Sequence, residues 1–234
     1  MRFPRGTSHP EAVLINTGGG LAGGDTVHHE VRVEAGARTT VTTQAAERIY
    51  RAPDTAPTSL DVSLTLGPNA LLAWLPQETI LFNGARLRRR INVEMPTSAR
   101  LLLLETTVFG RIAHDETLSC CDLDDQWRIT RDGKLCAAEA VRFTGHLADA
   151  LARPAIGNGA KVAATMLYIA PDAEDRLDAT RRTIAEASPE IAASAWAGRL
   201  AIRALATDTQ TLRVILARVA ALLTGNNVPR VWWT

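Results

Sequence analysis

The 234-residue chain has almost no net charge, few aromatic residues and only three cysteines. A net charge of +1 gives no long-range field to hold nucleic acid or an anionic membrane. No basic patch interleaves with aromatics, and the densest basic run, Arg86-Leu87-Arg88-Arg89-Arg90, reads as a solvated strand face. Cys120, Cys121 and Cys136 form no C-x-x-C. Two readings of them stay open: reduced free thiols, or a soft-metal site at the adjacent pair. The N-terminal MRFPRGTSHPE lacks the apolar core of a signal peptide. Val214–Leu223 is interrupted by Arg218 and is too short to span a bilayer. A soluble, cytoplasmic chain that binds neither nucleic acid nor membrane is expected. The nucleophile motif G-x-S-x-G and the zinc motif H-E-x-x-H are also missing.

What is present centres on Ala12–Val33. An apolar run, Ala12–Ile15, leads into Gly18, Gly19, Gly20, Gly23 and Gly24, and Asp25 closes the loop. Thr26–Val33 then alternates, with Val27, His29, Val31 and Val33 on one side and Thr26, His28, Glu30 and Arg32 on the other. Gly18, Gly20 and Gly23 fit G-x-G-x-x-G, but a dinucleotide site needs a helix to start inside the glycines, and a period-two strand follows instead. No Gly-Lys-Ser/Thr follows either, so the loop is no P-loop. The glycines suit a tight connection between strands. Asp25 either hydrogen-bonds its own turn or is a working carboxylate.

Strand patterns continue through Arg38–Ala46, extended by Glu47–Arg51, then Leu60–Leu66, Ala70–Leu75, Thr79–Phe82, Leu87–Met95 and Arg100–Val108. Asn83-Gly84 and Asp132-Gly133 are hairpin signals, the second joining Gln126–Thr130 to Leu135–Phe143. His114–Asp125 reads as an acidic loop. After a strand at Lys161–Ala170, Pro171-Asp172 opens a helix with Asp172 as its cap, and Ser188-Pro189 stops it. Ile191–Trp196 and Arg199–Ala206 form a hairpin across Ala197-Gly198. Asp208 caps a final helix that ends at Gly225. The Val228–Thr234 tail reads as extended, and its two exposed tryptophans, Trp232 and Trp233, suggest docking onto this domain or onto a partner. One domain over residues 1–234, mainly β with two α-helices in the last third, is expected.

The chemistry-bearing residues are carboxylates: Asp25, Glu47, Glu78, Glu105 and Glu139. His28 and His29 point to opposite faces of a strand and cannot chelate one ion together, while His29 is either a core histidine or a ligand. A glutamate inside an apolar strand is costly to bury unless paired or hydrated. Each can lie on a wet face or pair with an arginine such as Arg48 or Arg111. Taken together they suit a water-filled path that hands a hard or borderline dication between oxygen ligands, in contrast to a closed Cys/His site. The alternatives are a β-rich hydrolase or lyase using a carboxylate pair such as Glu78 and Glu105, and a plain β interaction module.

Ala12–Asp25 (AVLINTGGGLAGGD), Thr42–Arg51 (TTQAAERIYR), Trp74–Phe82 (WLPQETILF), Gly110-Arg111 and the closing Pro229–Trp232 resemble the UreD-type (UreH-type) urease accessory proteins, in order and over nearly the whole chain. The resemblance implies a non-enzymatic chaperone for urease maturation. It would scaffold the urease apoenzyme subunits with accessory protein F and, through it, the GTPase accessory protein G. Nickel would pass in transit through a tunnel, with no tightly bound cofactor. The implied fold is a β-helix-like or sandwich-like stack of strands with two helices. By the same resemblance, Asp25 and Glu139 are the metal candidates. Gly18, Gly19, Gly20, Gly23, Gly24, Glu47, Tyr50, Arg51, Pro76, Glu78, Glu105 and Arg111 are tunnel-lining or structural candidates. Family members carry several dozen residues before the glycine motif, and Met1–Arg5 resembles the end of that segment, so an N-terminally shortened form with open strand edges is expected.

Overall fold

Strands with one apolar face must bury it, and here they do so by shuttling between two facing sheets. In the computed structural model, which describes residues 1–4, 9–52, 56–114, 116, 118–185, 187, 189–225 and 228–233, the chain winds as a solenoid. A first coil holds β1 (Glu11–Leu14) and β2 (Thr26–Val33). A second holds β3 (Arg38–Thr43), β4 (Glu47–Ile49) and β5 (Thr58–Leu66). A third holds β6 (Leu71–Trp74), β7 (Thr79–Leu81) and β8 (Arg86–Met95), and a fourth β9 (Arg100–Phe109) and β10 (Cys121–Arg131). Equivalent strands stack in parallel: β1–β3–β6–β9 in one sheet, with β4–β7–β9 beside it, and β2–β5–β8–β10 in the other.

The winding then stops. β11 (Lys134–Gly145) folds back on β10 as a hairpin, and the short helix α1 (Leu147–Ala152) follows. β12 (Val162–Ile169), β13 (Glu190–Trp196) and β14 (Arg199–Ala206) extend the first sheet antiparallel, in the order β9-β12-β14-β13. Helices α2 (Leu177–Ile184) and α3 (Thr209–Thr224) supply apolar residues to a core that also takes Leu102, Leu104, Met166 and Ile202 from that sheet. This explains why β9 reads as a continuous apolar run: one face meets that core and the other looks into the solenoid. The mainly β stack with two longer helices in the last third matches the expectation, and α1 is an addition to it.

Several local expectations are corrected. Asn83-Gly84 is not a hairpin, because β7 and β8 belong to different sheets. Part of the acidic segment is strand, since β10 starts at Cys121. Asp172 does not cap a helix with its side chain. It accepts from Arg100, Tyr168 (3.1 Å) and Arg176 (3.0 Å), which ties the β12 exit to the edge of β9. The C-terminus is a 3-10 turn, Arg230–Trp233, and Trp232 is buried while Trp233 is exposed. The Trp232 indole lies 3.2 Å from both Thr42 Oγ1 and Leu75 O, so it docks on this chain. Expectations touching Arg5, Gly6, the centre of the Pro-rich loop 52–58, Ser188 and Thr234 lie outside the described residues.

Candidate functional site

Two apolar clusters fill the space between the sheets. One includes Val62, Leu64, Ile91, Val93, Leu103 and Ile129, and the other Ile49, Leu81, Leu87, Phe109 and Leu123. Between them the inward-facing positions change character. In β8 the inward series runs Leu87, Arg89, Ile91, Val93; in β10, Leu123, Asp125, Trp127, Ile129; in β9, Leu103, Glu105, Thr107, Phe109. One charged residue per strand, Arg89, Asp125 and Glu105, with Thr107 beside Glu105, makes a polar layer across the interior.

Arg89 is its centre and is 1% exposed. Its Nη1 donates to Glu105 Oε2 and, at 3.2 Å, to Thr79 Oγ1, while Nη2 donates to Asp125 Oδ2 at 2.5 Å. Trp74 Nε1 donates to the second oxygen of Glu105, and Trp127 Nε1 to the second oxygen of Asp125, both at 2.9 Å. Arg89 and Asp125 come from one sheet and Glu105, Thr79 and Trp74 from the other, so this cluster bolts the two sheets together. Burial opposes the guanidinium charge, but Asp125 and Glu105 outweigh it and hold Arg89 firmly protonated. Burial pushes Glu105 above its ordinary value, with Arg89 opposing. Arg89 Nε is buried without a hydrogen-bond partner. A buried donor left unmet costs about 1–3 kcal/mol, so this spot favours an oxygen acceptor such as water.

Two cavities lie along the layer. One, of about 650 Å³, is walled by Arg89, Glu105, Thr107, Asp125, Thr165 and Arg203 among apolar side chains. The other, of about 500 Å³, is walled by Asn16, His29 and Glu47. Strand register links them, since paired residues project from the same face of a sheet. Glu47 pairs with Thr79, which pairs with Thr107. Glu105 pairs with Thr165, which pairs with Arg203. Arg203 then reaches Glu139 of β11 at 2.5 Å, closing the far end. Glu47 accepts from Asn16 at 2.9 Å, and its burial pushes it above its ordinary value. The His29 ring stands 6.0 Å from Trp74, and its burial, with His28 adding, lowers its basicity.

The structure thus brings Glu47, Glu105 and Glu139 into one layer and leaves the other expected residues outside it. Asp25 is exposed, and its carboxylate accepts from Ala22 N at 2.8 Å, the local turn bond. Glu78 is buried in the bend that follows Pro76, and Arg213 of α3 holds both its oxygens at 2.9 and 2.6 Å. Glu78 and Glu105 therefore have separate partners and line separate cavities, which removes the carboxylate pair invoked for a hydrolase or lyase. Arg213 also donates to Trp232 O, so Glu78 clamps the C-terminal turn. Among the described residues, no three His, Cys, Asp or Glu side chains form a ready-made metal site.

The glycine loop meets the remaining motifs on the surface. Tyr50 Oη donates to Gly19 O at 2.9 Å. A Cβ on Gly20 would stand 2.6 Å from the Tyr50 ring and 2.9 Å from Arg48 O, so only glycine fits there. Tyr50 packs edge-on to Phe82 at 5.1 Å, and the Arg111 guanidinium lies 4.9 Å over Phe82 while pairing with Glu116. Arg51 lies next in the chain, against Gly84.

Arg89, Asp125, Thr79, Thr165 and Arg203 are the residues that sequence reasoning missed. The signal was there: a charge in the inward phase of an apolar alternation, as in Leu87-x-Arg89-x-Ile91.

Comparison with known proteins adds an independent line. A family model described as UreD urease accessory protein matches residues 1–233. The chain is 47% identical to urease accessory protein UreD 1 of Methylobacterium radiotolerans, over 99% of this chain and 81% of the relative. It is 44% identical to urease accessory protein UreD of Xanthobacter autotrophicus (100% and 80% covered) and 46% to that of Azorhizobium caulinodans (95% and 82%). By a match running nearly end to end, the chain belongs to the UreD family of urease accessory proteins.

Proposed function

We propose that the protein acts in urease maturation as a non-enzymatic assembly subunit, and that its polar layer is the route by which nickel crosses it toward the urease apoenzyme. Family membership supports the first part. The observation that supports the second is the layer itself: charged and hydroxyl side chains in an otherwise apolar interior, set in register from Glu47 at the smaller cavity through Thr79 to Thr107 at the larger. Oxygen ligands suit weak, exchangeable binding of a divalent cation, as transfer requires. Nickel is cargo here and not a resident cofactor. In this proposal Glu47 lies on the side of the smaller cavity, Glu105 and Asp125 form the midpoint, and Glu139 and Asp25 are outer ligands nearer solvent. The partners are the urease subunits and accessory protein F, with the GTPase accessory protein G recruited through it, in the cytoplasm. No helix among the described residues is long and apolar enough to cross a membrane.

The test is co-expression with the urease subunits and accessory proteins, followed by pull-down and by nickel analysis of the purified urease. Glu105→Gln and Asp125→Asn are expected to preserve the complex and lower nickel per urease active site severalfold. Full nickel content with either variant in an intact complex rules out the interior route.

A further inference from the structure

A route that passes a divalent cation has a chemical problem at its midpoint. Two buried carboxylates facing each other form a trap, because poorly solvated opposite charges attract strongly. Here the trap is already filled. Arg89 occupies one oxygen of Glu105 and one of Asp125, and the two tryptophan N–H groups take the others. Within this cluster Arg89 Nε is left without a partner, and Arg89 lines the larger cavity. An arginine keeps its charge, so only movement of the side chain makes way.

We propose that Arg89 is a built-in competitor for the cargo: it holds Glu105 and Asp125 so that a divalent cation binds there only by displacing one guanidinium arm, and is released when that arm returns. This rests on the transit route proposed above and adds its regulation. The charge balance supports it. With both carboxylates ionised, one positive and two negative charges leave the cluster singly negative. That attracts a dication, yet binding it leaves an excess positive charge that drives it onward. Without Arg89, a dication would neutralise the two carboxylates and stay. The fork geometry supplies the mechanics, since one arm can let go of Glu105 toward Thr79 while the other keeps Asp125.

The experiment titrates nickel into the purified complex carrying wild type, Arg89→Met or Arg89→Lys and measures binding to this chain calorimetrically, beside nickel transfer to urease. Arg89→Met is expected to bind nickel at least about tenfold more tightly than wild type and to transfer less of it. Arg89→Lys keeps a charge but donates from a single nitrogen, so a severalfold tightening is expected, and it serves if the methionine variant does not fold. Wild-type nickel affinity in a folded Arg89 variant overturns the competitor role. If Glu105→Gln and Asp125→Asn lower transfer while the Arg89 variants bind as wild type does, the route stands and the competitor fails. If the acid variants transfer normally, the route itself is wrong.

Discussion

Arg89 and Arg111 each sit beside a glutamate, and their surroundings make them opposites. Arg89 is sealed between the sheets, with Glu105, Asp125 and Thr79 around it. Arg111 lies on the surface over Phe82, with Glu116 bonded at 3.1 and 3.0 Å. Water screens the outer pair, so its geometry records shape more than energy. The inner arginine has no solvent to fall back on, and removing it strands two charges. The interior pair is therefore the one whose loss is costly. The surface, where Gly20, Tyr50, Phe82 and Arg111 stack in a row, carries the recognisable motif.

The largest effect is expected from breaking the inner side. Arg89→Met should destabilise the fold by about 3–5 kcal/mol, the usual cost of stranding a buried charge. That lowers the melting temperature by on the order of 10 °C, measurable by calorimetry. On the surface, Gly20→Ala should cost about 1–3 kcal/mol through overlap with Tyr50 and Arg48 O. Combining it with Tyr50→Ala should recover part of that loss, and strict additivity in denaturant titration would place the strain elsewhere. Smaller still is a pH effect. His29 has a lowered basicity in the folded state, so the unfolded chain takes up more protons as pH falls below 6.5. Stability should decline on that acid side, and His29→Gln should flatten the decline. The smallest change is expected from Arg111→Met, with melting indistinguishable from wild type. A large drop there would erase the contrast between the two arginines.

Much of the fold was legible because local rules and global packing agree. The Ala197-Gly198 and Asp132-Gly133 turns do join antiparallel strands, with Ala197 and Asp132 at positive φ. Asp208 accepts from Thr211 N at 2.8 Å at the head of α3, and Gly225 ends that helix in the left-handed region. Reading failed where coil winding overrides the local signal. Asn83-Gly84 has hairpin composition, but in a solenoid the next strand crosses to the opposite sheet instead of returning alongside. Arg86–Arg90 looked like one wet face, yet a strand alternates. Arg86, Arg88 and Arg90 point outward while Arg89 points in. Of the site, the carboxylates inside apolar strands were visible. Their partner was not, because only the spatial stacking of β8, β9 and β10 shows which charge meets which.

Parallel stacking also sets a ruler. Neighbouring strands lie about 4.8 Å apart, so polar side chains at matching register recur at that interval along the solenoid axis. Glu47, Thr79 and Thr107 are three such rungs, and beyond the coils the antiparallel strands β9, β12 and β14 set Glu105, Thr165 and Arg203 side by side in the same way. On the proposed route, the spacing of this staircase lets a hydrated ion touch the next oxygen among Glu47, Thr79 and Thr107 before it leaves the last. A one-residue deletion in β8 just before Arg89 would turn Arg89 to the solvent side, bring Arg90 into its place and send Asn92 and Glu94 into the inward places of Ile91 and Val93. Register, more than any single side chain, is what keeps the staircase continuous.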